Sequence, residues 1–369
     1  MPDVYRRLAR RLDRLPQGFP STPDGIELKI LRRIFSPEAA EVALRLRPWP
    51  QSPARIARRL RRPVEETQKT LEEMAARGQI YSTLQDGGQQ YGLAPWVVGI
   101  YEFQVDHLDP ELAGLFEAYY PYFVRHAWSR GPALARVIPA QSSIRADLSI
   151  LPYEDLRRRI ADARSFVVRD CICRKERGLT AEPCRHPLET CLQISSQEGA
   201  FDRFTYAGRI IERSEALDIL DRTEEAGLVH STYNFRDDPV FVCNCCSCCC
   251  GFLRGIRDFE VPFVIARSNF LASVDPGRCG GCGKCAGERC PMGAIRLEGK
   301  TAEVAAERCI GCGVCTSVCN KEALSLVRRP ASEQQTPARD IVDWSLERYG
   351  ERGGPLVRTG VKLIRRIRG

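Results

Sequence analysis

Between positions 36 and 92 apolar residues recur three times at helical spacing, and two of these runs open with the same pair of residues. Ser36-Pro37 precedes a helix expected over Glu38–Leu46, with Ser36 as N-cap and Pro37 in the first turn. Ser52-Pro53 repeats the pair before Ala54–Leu60, and a third helix is expected over about Val64–Arg77, stopped by Gly78. Two shorter runs, Gln79–Gln85 and Gln89–Leu93, read as strands around Asp86-Gly87-Gly88, a hairpin signal. Three helices followed by a hairpin is the order of a winged-helix-like domain.

Beyond this, residues 100–165 read as mainly helical, with an aromatic patch at Phe116–Phe123 that fits a packed core. Residues 166–270 form a cysteine-rich middle domain, in which Ser214 is expected to cap a helix over roughly Glu215–Ala226, ended by Gly227. Residues 271–327 form a separate module, and Arg328–Arg339 reads as a Pro/Gln/Ser linker. From Arg352 the tail has six basic residues and no acidic one, with Leu356, Val357, Val361, Leu363, Ile364 and Ile367 largely on one helical face. Such a basic amphipathic helix fits a peripheral contact with an anionic membrane, or packing back on its own protein. The expected domains are 1–99, 100–165, 166–270, 271–327 and a tail over 328–369, an α+β, multidomain chain.

Charge sharpens this picture. Residues 1–62 carry +9 and 328–369 carry +5 of a total of +8, which leaves −6 for the middle. A winged helix invites a DNA-binding reading, but Glu65, Glu66, Glu72 and Glu73 outnumber Lys69 and Arg77 on the third helix, where phosphates would be repelled. Arg55, Arg58, Arg59, Arg61 and Arg62 on and after the preceding helix fit a solvated face, a backbone contact or docking of an acidic protein. Nucleic acid is therefore not the expected partner. No secretory signal stands at the N-terminus, and no run approaches the roughly 18 apolar residues of a spanning helix. The expectation is a reducing, cytoplasmic setting, peripheral to the membrane if the tail binds it, where 18 cysteines in tight groups are metal ligands rather than disulfides.

Eight of them lie in CGGCGKCAGERCP, with Cys279, Cys282, Cys285 and Cys290, and CIGCGVCTSVCN, with Cys309, Cys312, Cys315 and Cys319. Cysteines at every third position with glycines between them let a turn wrap the corners of an iron–sulfur cube, and the backbone N–H groups can donate to sulfur. Short apolar strands at Ala294–Leu297 and Ala323–Val327 repeat after each run. A structural zinc site does not need this doubled pattern. The segment resembles bacterial two-cluster ferredoxins, in which the fourth cysteine of each run serves the other cluster. That resemblance implies one 4Fe–4S cluster on Cys279, Cys282, Cys285 and Cys319, and a second on Cys309, Cys312, Cys315 and Cys290. The chain departs from the pattern in having four residues between Cys285 and Cys290, and Asn320 rather than Pro after Cys319. Asn320 restores a backbone N–H near a ligand sulfur, which would raise the potential of the neighbouring cluster.

Ten cysteines lie upstream. Cys171, Cys173, Cys184 and Cys191 fall in CICRKERGLTAEPCRHPLETC, and Cys243, Cys245, Cys246, Cys248, Cys249 and Cys250 in CNCCSCCCG. Neighbouring cysteines do not readily face one ion, so this block is expected to serve more than one purpose. Cys243, Cys246 and Cys249 repeat the CxxCxxC frame, and Cys245 and Cys248 make an overlapping CxxC. One or two further iron–sulfur clusters with ligands from both groups are expected, with zinc and a metal-free dithiol as alternatives. His186 and His230 stand beside these groups as candidate ligands or proton donors, with Tyr233 and Asn234 near the latter. Taken with GFPSTPDGIELKILRRIF, the Gly99–Gln104 segment GIYEFQ, EEAGLVHSTYN and CNCCSCCCG, the whole chain resembles a family of 4Fe–4S dicluster-domain proteins of anaerobic and facultative microbes. The resemblance implies an accessory redox protein.

No GxGxxG follows a strand and no GxxxxGK[ST] occurs, so the common nicotinamide, flavin and nucleotide folds are not indicated. Electrons then come from a redox protein partner. The leading expectation is an electron-transfer protein or reductase component passing single electrons through two 4Fe–4S clusters to the upstream cysteine centre or to a partner enzyme. The alternatives are an oxidoreductase acting on a small substrate at the upstream site, and a redox-sensing DNA-binding regulator.

Overall fold

The computed structural model describes residues 3–85, 87–202, 208–237, 241–353 and 357. The chain divides into two compact units, one of residues 1–127, 169–189 and 198–210, the other of 128–168, 190–197 and 211–369.

In the first unit, helices α1 (Val4–Asp13), α2 (Ile26–Ile34), α3 (Pro37–Arg45), α4 (Pro53–Leu60) and α5 (Val64–Ala76) precede strands β1 (Tyr81–Gln85) and β2 (Gly88–Gly92). The three helices expected between 36 and 78 and the hairpin are all present. Ser36 Oγ accepts the Ala39 N–H at 3.1 Å, so the Ser-Pro pair starts α3 as its chemistry dictates. The strands pair antiparallel with Gln85 opposite Gly88, and Asp86 of the turn lies outside the described residues. One stripe of each helix is buried, through Leu8 and Leu12, Ile30 and Leu31, Ala40 and Ala43, Ile56, and Leu71. Phe116, Tyr119 and Phe123 are core residues. Phe19 and Trp96 complete the aromatic cluster, with ring centroids 5.0 Å apart, and Trp96 lies 5.4 Å from Phe116.

A seven-stranded sheet, most of whose residues belong to the second unit, is formed by strands β3 (Ala135–Ile138), β4 (Ser165–Asp170), β5 (Glu189–Ser195), β6 (Arg209–Ile211), β7 (Val229–Tyr233), β8 (Phe241–Cys245) and β9 (Ile265–Ala266), in the order β6-β4-β5-β8-β7-β3-β9. Alternation sorts its faces. Leu192, Ile194 and Val242 point to one side and pack with Leu156 and Ile160 of one helix and Ala216, Ile219 and Leu220 of another. Each of these buried side chains contributes roughly 1.5–3 kcal/mol if large. The second helix spans Arg213–Glu225, so Glu212 rather than Ser214 holds the N-cap position. The Glu212 carbonyl already accepts the Ala216 N–H at 3.1 Å, which places Ser214 inside the first turn. Gly227, with φ 74°, ends the helix region as expected.

The C-terminal module has strands β10 (Phe270–Val274), β11 (Ile295–Glu298), β12 (Thr301–Val304) and β13 (Leu324–Arg328), pairing β10 with β13 and β11 with β12. The expected repeated strands are β11 and β13. Arg328 holds the buried Glu154 carboxylate through two contacts of 3.0 and 3.3 Å, and its guanidinium stands 4.4 Å from the Phe270 ring centre. Removing the cation would strand that carboxylate, so Arg328→Met is expected to lower stability by about 3 kcal/mol, read from chemical denaturation. The segment after it is tied down as well: Arg329 donates to the Cys309 carbonyl at 2.6 Å. The basic tail, apart from Arg352, Gly353 and Val357, lies outside the described residues.

Candidate metal centre

The two cysteine loops adopt the same conformation twice. The Cys279 N–H donates to the Asp275 carbonyl and the Cys309 N–H to the Ala305 carbonyl, both at 3.0 Å. Gly281 and Gly311 follow with φ of 67° and 69°, the left-handed region that glycine enters freely. A Cβ at Gly281 would stand 2.7 Å from the Lys300 carbonyl oxygen, and one at Gly311 would stand 2.2 Å from that of Phe270. Both loops therefore lie against backbone, and the Cys279 sulfur accepts the Ala302 N–H, from the same β11–β12 hairpin that carries Lys300, at 3.4 Å. After each run the sulfur of the last cysteine receives a backbone N–H from four residues on: Ala294 to Cys290 at 3.1 Å and Ala323 to Cys319 at 3.2 Å. The donor to the Cys319 sulfur is thus Ala323 rather than Asn320. The cause is the turn after Cys319, which brings the chain back over the sulfur only at the start of β13.

Cys290 joins the second run. It lines one cavity together with Cys309, Cys312 and Cys315, walled by Met292, Ile295, Ile310 and Val314. Burial pushes the Cys312 thiol up to about 12, with Cys309 and Cys290 adding to the rise. Burial likewise raises Cys315, and the charges it feels come from Cys312, Cys309, Cys290 and Cys285. Burial thus keeps these thiols protonated in the absence of a cation, and their thiolate, metal-ligating form needs a bound cation to offset its charge in so apolar a pocket. Cys285 is raised by burial, and the charges nearest it are Cys282 and Cys279. Cys282 is exposed, whereas Cys285, Cys309, Cys312 and Cys315 are buried. The four-thiol lining and the backbone donors to sulfur fit an iron–sulfur cube.

Residues 271–320 match the family model of the 4Fe-4S dicluster domain. The chain carries a two-cluster iron–sulfur domain. A stretch of 74 residues, 19% of the chain, is 39% identical to a component of the ion-translocating oxidoreductase complex of Methanosarcina acetivorans, of which it covers 28%. The chain thus spans little more than a quarter of that relative's length. No solved structure matches the chain. The dicluster domain holds two 4Fe–4S clusters, and when bound each supplies one-electron chemistry.

The upstream cysteines separate by element. In β8 alternate residues share a face, so Cys243 and Cys245 go together, and the β5–β8 register of Leu192 with Val242 sets Cys191 directly opposite Cys243. Cys243 is held well above its ordinary value by hydrogen bonding with the Cys191 and Cys245 thiols, then by burial. Past the strand, the sulfurs of Cys246, Cys248 and Cys249 lie within 4.8 Å of one another, with Cys248 and Cys249 3.6 Å apart. Their mutual hydrogen bonding raises the Cys249 thiol. The frame expected from spacing, Cys243 with Cys246 and Cys249, is therefore divided, because the strand ends between 245 and 246. Cys250 is buried at the N-cap position of the helix Gly251–Arg257.

In the first unit Cys171 precedes the helix Ile172–Thr180, Cys173 lies in its first turn, and Cys184 follows it in a loop, all three half-buried. Around Cys173 the structure collects residues that spacing had not singled out for chemistry. The Tyr101 hydroxyl donates to the Glu176 carboxylate and lies 3.7 Å from the Cys173 sulfur. Burial holds the neighbouring Glu102 up to about 8 although Gly99 N–H donates to it at 2.7 Å. The signal in the sequence was the GIYEFQ segment that carries both residues. His230 is buried with both ring nitrogens engaged, Nδ1 2.6 Å from Asn244 Oδ1 and Nε2 3.2 Å from Glu224 Oε1. Asn244 donates from Nδ2 to the Thr190 carbonyl, which turns its oxygen to the imidazole and makes Nδ1 the donor. His230 is thereby a brace between strands rather than a metal ligand. Asn234 bonds the Ala133 carbonyl at 3.1 Å, and His186 is half-buried in the loop after Cys184.

Proposed function

We propose that this chain is an electron-transfer protein or reductase component that passes single electrons through its two 4Fe–4S clusters to the upstream cysteine centre or to a partner enzyme. The observation that carries the reading is the pocket in which Cys290 joins Cys309, Cys312 and Cys315 across the two loops. On the same pattern Cys279, Cys282, Cys285 and Cys319 hold the other cluster. The exposed Cys282 makes that cluster the port for an external redox protein, and the buried second site its inward neighbour. The upstream block would add one further cluster or more, with Cys246, Cys248 and Cys249 supplying three sulfurs. Likeness to a component of an oxidoreductase complex supports a partner within an assembly. No helix of the described residues is long and apolar enough to cross a membrane. Membrane contact, where it occurs, would be peripheral and made by the basic tail after Arg352.

A second reading, reduction of a small substrate at the upstream cysteines, is favoured by the contact of the half-buried Tyr101 with the buried Glu176 and with Cys173, a set able to hold protons beside a sulfur.

Protein purified without air is expected to contain about twelve or more irons per chain with matching sulfide, and to show interacting spin signals when reduced. About eight irons would leave the upstream cysteines empty. Zinc in place of iron, or fewer than about eight irons after reconstitution, would sink the reading.

A further inference from the structure

The first unit contains an open groove of about 530 Å³ lined by Arg47, Trp49, Gln51, Arg55, Arg58 and Arg59. Its walls are α4 and the segment that leads into it. Trp49 is 53% exposed, whereas Trp96, Trp128 and Trp344 are all 3% exposed or less. An indole left in water gives up the apolar burial that the other three obtain. The Arg47 guanidinium stands 5.4 Å from the centre of the Trp49 ring. Arg59 is fixed from below, donating to the Arg45 carbonyl at 2.8 Å and to Gln51 Oε1 at 2.9 Å.

Among the described residues no carboxylate pairs with Arg47, Arg55, Arg58 or Arg59. Four guanidiniums in one groove repel each other, and burial together with the charges of Arg47 and Arg55 holds Arg59 below its ordinary value. Elsewhere in the unit several arginines do meet carboxylates, as Arg7 does Glu41 and Arg33 does Asp109. A cluster kept cationic beside an exposed aromatic ring lacks only an anion of matching shape.

We propose that this groove binds a nucleoside polyphosphate, with the planar base on Trp49 and the phosphates among Arg47, Arg55, Arg58 and Arg59. Four cations call for more charge than one phosphate carries, and the indole adds a surface that an inorganic anion does not use. A long nucleic acid fits less well. Helix α5, packed beside α4, exposes Glu65, Glu66, Glu72 and Glu73, which would repel any strand running past the groove. Recognition by stacking and guanidinium forks needs neither of the glycine-rich motifs that the chain lacks.

The test uses the full-length protein with its clusters, titrated at low salt with ADP, pyrophosphate, adenosine and oligothymidylate, by calorimetry and by tryptophan fluorescence compared between the parent and Trp49→Leu. ADP is expected to bind more tightly than pyrophosphate or adenosine. Arg58→Glu should weaken it by at least about tenfold. Trp49→Leu should bring ADP down to the affinity of pyrophosphate. Both positions are exposed, so iron content and melting temperature should stay at the parent values and show that the variants are folded. No binding of ADP, equal affinity for ADP and pyrophosphate in the parent, or ADP affinity unchanged in Arg58→Glu would overturn the proposal. Tight oligothymidylate binding that ADP does not displace would overturn it in favour of a nucleic-acid surface.

Discussion

Replacing Cys290 by alanine is expected to empty the same cluster as replacing Cys312, although the two residues belong to different cysteine runs. Cys290 lines one cavity with Cys309, Cys312 and Cys315, and its charge reaches both Cys312 and Cys315. Each variant should lose about four irons. The cluster that remains should give the same spin spectrum and potential in both, and a different one in Cys285→Ala, whose nearest thiols are Cys282 and Cys279. A Cys290→Ala spectrum matching that of Cys285→Ala would mean that each run holds its own cluster. Because the ligands are buried, the empty pocket should also destabilise the module, and melting temperature provides the second readout.

Gly311→Val is the other large effect. The residue sits at φ 69°, where a β-branched side chain loses roughly 1–2 kcal/mol. Its Cβ would also meet the Phe270 carbonyl oxygen and Ser268 Oγ, each at 2.2 Å. Neither neighbour can yield freely: Phe270 is paired in β10, and Ser268 donates to the Gly311 carbonyl at 2.7 Å. Relief requires the loop to lift from β10, with loss of that bond and of Ser268 N–H to the Ile310 carbonyl, worth about 1 kcal/mol each. The expected total is about 3–4 kcal/mol, with loss of iron from the second site. Gly280→Ala is the control, since nothing lies within 4 Å of its added Cβ and iron should be retained. Full iron occupancy and an unshifted melt in Gly311→Val would refute the argument.

What the sequence revealed and what it hid follow from how far apart the cooperating residues lie. The dicluster loops were legible because their cysteines, glycines and following strands are set within a few residues of each other, and the duplication repeats the signal. The Ser-Pro helix starts were legible for the same local reason. The partition of the upstream cysteines was not. That Cys191 faces Cys243 is decided by the register of β5 on β8, and no spacing within either run encodes a pairing across some fifty positions. Once β8 is known to end at Cys245, the grouping of Cys246 with Cys248 and Cys249 follows. Ser214 misled for a smaller reason: a good capping residue inside a first turn looks the same in sequence as one just before it. Tyr101 and Glu102 were visible only as part of a segment, because what makes them chemical is their burial beside Cys173.

The pairing of β10 with β13 sets Phe270 opposite Arg328 and Val274 opposite Leu324, so the chain enters and leaves the dicluster domain through two adjoining strands. The domain is thereby a cassette whose two seams lie side by side. Insertions between the two strands, such as the extra residue between Cys285 and Cys290, leave that spacing unchanged, while the Ala140 N–H on the Cys312 carbonyl and Ser143 Oγ on the Gly313 carbonyl tie the interior to the rest of the unit.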